Sequence, residues 1–273
     1  MHFATAGITA PFWLPPLAGF VLAFFCSMVG ISGAFLLLPF QMSVLGYVAP
    51  SVTATNLVFN LVAIPGGVWR YAREGRMDWA LARVIAAGTL PGLFIGWWLR
   101  LFWLAEPKTF KFFVGLVLAW LALRLYRELF FRQGQAKPVD TTGPRRPPDR
   151  AIFVISLVIG VIGGAYGIGG GSLMAPVLVT IFGLSVHRIA GAALFGTLVT
   201  SVVGVLLYQF LPSPTGMPAI PDWLLGLLFG LGGLAGMYLG ARTQKHVGQR
   251  TLKIGLALVM TGLASGYVVQ FLR

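Results

Sequence analysis

The chain has 273 residues, of which 57% are hydrophobic and only 10% are charged, and its mean hydropathy is +0.85. A soluble domain carries about 25% charged residues, so this composition excludes an ordinary soluble protein. The formal net charge of +13 would suit nucleic-acid binding, but the positive residues fall in short segments between apolar runs, where they encode membrane topology. We therefore expect the lipid bilayer, and no nucleic acid, as a partner.

Several apolar runs are long enough to cross a bilayer, because about 20 residues at helical rise span the hydrocarbon core. In the first half, the pattern predicts five helical segments. The first covers 12–29, the second is a short segment that ends at about Tyr47, and the others cover 51–69, 78–102 and 109–131. The runs show no alternation of period two, which disfavours a β-barrel. The sequence therefore predicts an all-α polytopic membrane protein.

A segment rich in Pro, Gly and charge, residues 133–150, predicts a flexible linker. It divides the chain into a first transmembrane repeat (1–132), a cytoplasmic linker (133–150) and a second transmembrane repeat (151–273). The repeats share landmarks in the same order. A shift of 137 positions places Gly167 on Gly30 and Pro176 on Pro39; after an insertion at 212–218, the shift becomes 144. This agreement predicts an internal duplication with about five helical segments in each repeat.

Two glycine triplets correspond under the larger shift, with the glycines spaced four apart in each. Such spacing predicts a close-packing helix face, so we assign these residues a structural role. The triplets are Gly88, Gly92 and Gly96 in the first repeat and Gly232, Gly236 and Gly240 in the second.

The charges of the loops indicate how the repeats are oriented. The 70–76 loop is basic, whereas its counterpart at 212–221 has no Lys or Arg; the 242–253 loop is more basic than its counterpart at 100–111. Because basic short loops stay in the cytoplasm, the pattern predicts two inverted repeats with both termini outside. Three charges in the 100–111 turn, Arg100, Lys108 and Lys111, do not fit, since this assignment places them outside.

Each repeat contains a glycine-rich segment that ends in proline, at Gly30–Pro39 and Gly167–Pro176. Glycine permits unusual backbone angles and proline removes a backbone donor, so these segments predict broken or re-entrant helices. Secondary transporters place solute sites at such breaks, where half-helix N-termini point at anions. An alternative is that the glycines only allow tight helix packing. The candidate solute-binding residues at the breaks are Ser32, Gly33, Ala34, Gly170, Gly171 and Ser172.

The helix after each break is polar for a membrane segment. Asn56 and Asn60 are four residues apart and share a helix face, and Thr197 corresponds to Asn60. Their amides and hydroxyl can donate to an oxyanion or hold helices together. His187 and Arg188 begin the second polar helix, where they either contact the solute or are solvated at the interface. Because His187 can titrate near neutrality, proton coupling stays open.

Acidic residues all lie in loops or near helix ends, which disfavours a cation as the solute. The sequence shows no Cys/His cluster with metal-ligand spacing, no catalytic motif and no phosphate-loop ending. We therefore expect no metal, no cofactor and no enzymatic activity, and a small anionic solute as the partner.

The duplicated motif resembles the TauE/SafE-type sulfite exporter family, which is similar to toluene-sulfonate-uptake permeases. The resemblance covers nearly the whole chain outside the linker; in the first copy Ser32 and Ala34 replace glycines. It rests on Gly167-Ile-Gly-Gly-Gly-Ser-x-x-x-Pro176 with Ala190-Gly-Ala-Ala-Leu194, and on Gly30-Ile-Ser-Gly-Ala-x-x-x-x-Pro39 with Thr53-Ala-Thr-Asn-Leu57.

The resemblance implies movement of sulfite or organosulfonates across the cell inner (plasma) membrane. We expect a secondary transporter that exports such an anion by alternating access. The alternatives are an anion channel of the same architecture and, less favoured, an integral-membrane enzyme. The particular anion, the direction, the coupling ion and a homo-oligomeric state are left open.

Overall fold

A computed structural model describes residues 1–28, 31–131, 147–182, 186–213, 216–243 and 247–273 of the chain. The helices are α1 (Leu14–Met28), α2 (Ala34–Ser43), α3 (Ser51–Ala63), α4 (Pro65–Arg73), α5 (Trp79–Phe102), α6 (Pro107–Phe131), α7 (Asp149–Tyr166), α8 (Met174–Phe182), α9 (Val186–Phe210), α10 (Trp223–Thr243) and α11 (Gln249–Leu272). A 3-10 helix occupies Gly170–Leu173, and strands β1 (His2–Phe3) and β2 (Ile8–Thr9) pair near the N-terminus. The predicted helical segments of the first half are confirmed, with ends that differ by a few residues.

Within the described residues, seven helical spans are long and apolar enough to cross a membrane, which confirms an all-α polytopic membrane protein. One span joins α3 and α4, which meet where Pro65 interrupts the helix. The helices on either side of the first break, α1 and α2, are shorter, with 15 and 10 residues. Residues 133–146 of the expected linker, together with residue 132 before it, lie outside the described chain, so the boundaries of the two repeats stay predictions.

The two halves of the chain interleave through α1 with α10 and α7 with α5. In α5, a Cβ added at any glycine of the triplet would lie within 3.0 Å of a backbone oxygen of α7. The same holds for the triplet of α10 against α1. The contacts are Gly88 with Phe153, Gly92 with Leu157, Gly96 with Val161, Gly232 with Pro16, Gly236 with Phe20 and Gly240 with Phe24. The predicted close-packing role of both triplets is confirmed.

These contacts also fix the helix directions. Because the contacting residues advance together along both chains, α5 runs parallel to α7 and α10 runs parallel to α1. Between α10 and α3, Gly226 contacts Thr55 and Gly230 contacts Val62, so these helices are parallel. Between α9 and α5, Gly196 contacts Ile85 and Gly204 contacts Leu93, so these helices are parallel too. Between α3 and α9, Asn60 contacts Ser201 and Leu57 contacts Gly204, so these helices are antiparallel. Hence α1, α3 and α10 point one way, and α5, α7 and α9 point the other way.

The start of α3 is covered by parts of the chain that the sequence pattern did not place there. The Ser51 N–H donates to the carbonyl of Pro218, in the segment interpreted as an insertion, at 3.0 Å. The Asp222 N–H donates to the Thr55 hydroxyl at 2.9 Å, and the Asp222 carboxylate accepts the N–H of Ala6 at 3.2 Å. The insertion and the unpredicted β1–β2 pair therefore close one end of the helix bundle over α3.

Candidate functional site

The first break separates α1 from α2 and contains three predicted site residues. The N–H of Ala34, the first residue of α2, donates to the Ser32 hydroxyl at 3.3 Å. Gly33 and Ala34 are buried. A Cβ at Gly33 would lie 2.9 Å from the Ala23 Cα, so this glycine lets α2 approach α1 closely. The first residue of the predicted motif, Gly30, lies outside the described residues.

The second break separates α7 from α8 and is conformationally more irregular. Gly167, which follows α7, has a φ of +87°, and Gly169 has a φ of +75°. Residues other than glycine rarely adopt this backbone conformation. The 3-10 helix follows, and at Gly171 a Cβ would collide with the Ala193 carbonyl of α9. The glycines of the second break therefore agree with both interpretations of the motif. Their backbone angles allow the break, and their lack of a side chain allows close packing against α9.

Proline does not end the first broken segment. Pro39 lies inside α2 and has no N–H to offer the carbonyl four residues earlier, which belongs to Phe35. The Tyr166 hydroxyl, at the end of α7, donates to this Phe35 carbonyl at 2.8 Å. The backbone acceptor that Pro39 leaves unbonded in the first half is thus satisfied by the second half. Pro176 likewise falls within the bounds of α8, so in neither copy does the proline make the interruption.

The two breaks meet at Asn56, one of the predicted site residues. The Asn56 side-chain nitrogen donates to the Ala34 carbonyl of the first break at 3.1 Å and to the Gly167 carbonyl of the second at 3.0 Å. Its side-chain oxygen accepts a longer bond of 3.4 Å from Gln41. Asn56 is fully buried. The structure therefore brings both breaks within reach of one side chain.

Other polar side chains of α3 and α9 lie next to these breaks. The Asn60 amide donates to the Ser201 hydroxyl at 3.3 Å, and the Gly170 N–H donates to the Thr200 hydroxyl at 2.9 Å. The Thr197 hydroxyl donates to the Ala193 carbonyl and lies 3.3 Å from the Ser172 hydroxyl. We call this group the break cluster; it consists of Gln41, Asn56, Asn60, Ser172, Thr197, Thr200 and Ser201.

The break cluster is neutral and closed to solvent, apart from partly exposed Ser172. Two of its buried atoms, the side-chain oxygens of Gln41 and Asn60, have no hydrogen-bond partner among the described residues. An unsatisfied buried polar group costs about 1–3 kcal/mol, so native proteins hold few of them. Rotating the Asn60 amide by half a turn would let its oxygen accept from Ser201 and turn its NH2 group to the unpaired side. Asn60 can therefore offer a bound solute either an acceptor or a donor.

Two predicted site residues, His187 and Arg188, lie at the start of α9, and their side chains are outside the described part of the structure. Their backbone lies about 15 Å along the helix from Thr197, since ten residues separate His187 from Thr197 at helical rise. They are therefore not level with the break cluster. A contact between either side chain and the solute stays a prediction.

Sequence reasoning missed Arg100, which it counted as a loop charge. Arg100 lies inside α5 and its side chain is fully buried. It donates to the Thr53 hydroxyl at 3.0 Å and to the carbonyls of Val48 and Leu104, and its guanidinium carbon lies 3.6 Å from the centre of the Phe110 ring. The available signal was its setting, because Arg100 is flanked on each side by three apolar or aromatic residues in the stretch 97–103.

Tyr47, in the loop between α2 and α3, is a second buried polar residue that the pattern did not single out. Burial raises the pKa of Tyr47 above its ordinary value, so the phenol stays protonated. Its hydroxyl lies 3.1 Å from the Thr55 hydroxyl, which in turn accepts the Asp222 N–H. Tyr47 therefore ties the loop before α3 to the covered end of the bundle.

A surface groove with a volume of about 430 Å³ lies between α5 and α7, away from the break cluster. Its lining includes the charged residues Asp149 and Arg150 at the start of α7, and it shares no residue with either break. Among the described residues, no group of three or more His, Cys, Asp and Glu side chains could hold a metal ion. The breaks, and not this groove, are the candidate solute site.

The chain is similar to a known protein family and to individual membrane proteins. The family model described as sulfite exporter TauE/SafE matches residues 16–267. The "Probable membrane transporter protein YjnA" of Bacillus subtilis is 26% identical over 256 residues, which cover 92% of this chain and 96% of that relative. A "Probable membrane transporter protein" of Haemophilus influenzae is 27% identical over 271 residues, which cover 91% of this chain and 94% of the relative. No solved structure matches the chain.

Proposed function

Since the chain belongs to the sulfite exporter TauE/SafE family, whose relatives are named as membrane transporters and not as enzymes, we propose that it is a secondary transporter. Its solute is a small sulfur-containing anion, sulfite or an organosulfonate, and it exports this anion across the cell inner membrane by alternating access. The family and the apolar helices make the chain a multi-pass membrane transporter for a small solute. We propose the anion, the direction of transport and the mechanism.

The observation that carries the proposal is the position of Asn56 between the two breaks. One amide nitrogen holds a carbonyl of each broken helix, Ala34 in the first half and Gly167 in the second. Movement of one half relative to the other would have to break at least one of these bonds. The Asn56 N–H group that such a movement frees inside the membrane needs an acceptor, and an oxygen atom of an anionic solute at the junction can supply it.

The directions of the helices support two inverted repeats. Under the shifts of 137 and 144 positions, α1 corresponds to α7, α3 to α9 and α5 to α10. Each pair consists of helices that point in opposite directions, as inferred from their glycine contacts and from the Asn60–Ser201 bond. Inverted repeats that cross at broken helices are the architecture in which one half rocks against the other around a central site.

The chemistry of the break cluster favours an anion. Within the described residues, the cluster offers amides, hydroxyls and backbone N–H groups, and no acidic side chain that would neutralise a cation. Sulfite and sulfonates carry several oxygen atoms that accept hydrogen bonds from such groups. A neutral site also suits transport, because a solute must bind and then leave.

Counterflow in liposomes tests the proposal whatever the coupling ion is. Purified protein is reconstituted into liposomes that are loaded with unlabelled sulfite, and trace radiolabelled sulfite is added outside. A transporter gives a transient accumulation of label above its equilibrium level, whereas a channel gives only a monotonic approach to equilibrium. Ethanesulfonate and acetate replace sulfite in parallel. Absence of counterflow with both sulfite and ethanesulfonate would overturn the proposed function.

A further inference from the structure

Arg100 is a buried cation with neutral partners. Within the described part of the chain, no carboxylate forms an ion pair with it. The buried acid Asp222 instead accepts the backbone N–H groups of Ala6 and Leu225. Taking a charge out of water is costly unless the charge is paired, so an uncompensated buried guanidinium is unusual.

The neutral partners of Arg100 leave part of its bonding capacity unused. Its three nitrogens each make one hydrogen bond, to the Thr53 hydroxyl and to the carbonyls of Leu104 and Val48. A guanidinium carries five N–H groups in a planar fork, so two N–H groups stay available for an oxyanion. The Phe110 ring beneath the guanidinium lowers the cost of burying the cation but does not neutralise it.

Two further donors lie beside Arg100. The buried Tyr208 hydroxyl is close to Arg100 and Thr53 but makes no hydrogen bond of normal geometry among the described residues. Trp97 precedes Arg100 by three residues on α5 and packs on the hydrophobic cluster that contains Tyr208; its indole N–H is likewise buried and unpaired. Donors gathered around a cation, without an acidic acceptor, are complementary to an oxyanion.

The position of Arg100 connects these donors to the breaks. Its partner Thr53 also donates to the Ala165 carbonyl at 3.4 Å, one residue before the end of α7, and the Thr53 backbone packs on Gly167. Asn56 follows Thr53 by three residues on α3, less than one helical turn of about 5.4 Å. The Arg100 group is therefore adjacent to the break cluster and lies toward the covered start of α3.

We propose that Arg100, Tyr208 and Trp97 form a second oxyanion-binding site on the solute path, between the break cluster and the membrane face at which α3 begins, with Thr53 positioning the guanidinium. This inference rests on the proposed function. A bound anion replaces the carbonyls of Val48 and Leu104 as hydrogen-bond acceptors of the guanidinium. These carbonyls lie in the segments before α3 and after α5. Binding thereby loosens the two segments that close this end of the bundle, and the anion passes to Asn56.

The burial of the charge distinguishes the two repeats. The shift of 144 positions that aligns the glycine triplets places Gln244, a neutral residue outside the described part of the chain, opposite Arg100. The basic residue in the last turn of α10, Arg242, is exposed to solvent, whereas Arg100 is fully buried. The buried cation therefore makes the two faces of the transporter chemically different.

Counterflow kinetics of charge variants provide the first test. We expect Arg100→Gln to raise the KM for sulfite by about tenfold or more, because a charge-assisted hydrogen bond is lost, and Arg100→Lys to restore much of it. Lys108→Gln removes an exposed cation near the same end of the bundle and serves as the matched control. A KM for Arg100→Gln equal to that of the wild type, with sulfite counterflow intact, would overturn the inference and leave the proposed function standing.

Thiol labelling provides a second test that does not depend on transport. The chain has a single cysteine, Cys26, so Cys26→Ala gives a cysteine-free background. Thr53→Cys or Tyr208→Cys is then treated with an anionic, sulfonate-bearing methanethiosulfonate and with a cationic one. We expect faster labelling by the anionic reagent, slowed by sulfite, and loss of this preference when Arg100→Gln is added. Equal rates for both reagents, or no labelling of either folded variant, would overturn the inference even if wild-type counterflow also fails.

Discussion

The side-chain nitrogen of Asn56 lies 3.0 Å from the carbonyl oxygen of Gly167, which joins the polar helix of one half to the broken helix of the other. The same nitrogen also holds Ala34, so a single residue sets the distance between the two breaks. Gly167 has a positive φ and packs on the backbone of Thr53, which leaves no room for a side chain at this point. The junction is therefore built from backbone carbonyls and one amide.

Asn56→Leu should destabilise the protein and abolish solute binding. The substitution removes the donor to the buried Gly167 carbonyl, which costs about 1–3 kcal/mol, whereas the Ala34 carbonyl, at the start of α2, keeps its bond within the helix. We expect a lower apparent Tm, and loss of the rise in Tm that sulfite gives the wild type by mass action. Gln270→Leu, which removes an exposed amide on α11, is the control and should keep the wild-type response. An Asn56→Leu protein with wild-type Tm and sulfite response would contradict the assignment of Asn56.

Asn60→Ala should separate function from stability. This substitution removes one hydrogen bond of 3.3 Å, to Ser201, together with an oxygen that has no partner among the described residues. The expected cost in stability is about 1 kcal/mol or less, whereas sulfite counterflow should fall by about tenfold.

Thr197→Val changes the corresponding residue of the second repeat and is the matched comparison for Asn60→Ala. Its hydroxyl is already bonded to Ala193, so we expect a smaller loss of transport. Counterflow at the wild-type rate in Asn60→Ala would remove Asn60 from the solute site.

Local signals in the sequence were sufficient for the helices and for the two close-packing glycine faces, because apolar length and glycine spacing are local properties. They also indicated the breaks and the face shared by Asn56 and Asn60. They could not show that Tyr166 serves the Phe35 carbonyl, since this contact spans 131 positions and depends on packing between the halves. Arg100 was missed for another reason: a charge near a helix end resembles a loop charge until the surrounding helices bury it.

Tyr166 and Pro39 should be energetically coupled. Tyr166→Phe removes the donor to the Phe35 carbonyl and should lower stability by about 1–3 kcal/mol. In a Pro39→Ala background, the new alanine supplies the missing backbone N–H, so the same change should cost less. A double-mutant cycle measured by chemical denaturation gives the coupling directly. Tyr238→Phe, at an exposed tyrosine of α10, is the control; a purely additive cycle would contradict the role assigned to Tyr166.

The paired glycines should be intolerant of even one methyl group. Gly92→Ala and Gly236→Ala occupy corresponding positions, and in each the new Cβ meets a backbone oxygen of the partner helix. Overpacking of this kind costs about 1–3 kcal/mol, so both variants should show a lower Tm. Gly262→Ala in α11 meets nothing within 4 Å and should be neutral or slightly stabilising, since alanine is the better helix former. A loss at Gly92 without a loss at Gly236 would contradict the equivalence of the two helix pairs.

The inverted arrangement predicts that two corresponding loops lie on opposite sides of the membrane. In the Cys26→Ala background, Glu74→Cys marks the loop after α4, and Met217→Cys marks the counterpart after α9; both positions are exposed. Replacing Glu74 removes a negative charge and leaves the loop more basic, so the substitution does not itself favour a position of this loop outside the cell. A membrane-impermeant maleimide should label Met217→Cys in intact cells and Glu74→Cys only after lysis. Labelling of both from the same side would mean that the repeats are parallel, which a rocking mechanism around inverted breaks could not accommodate.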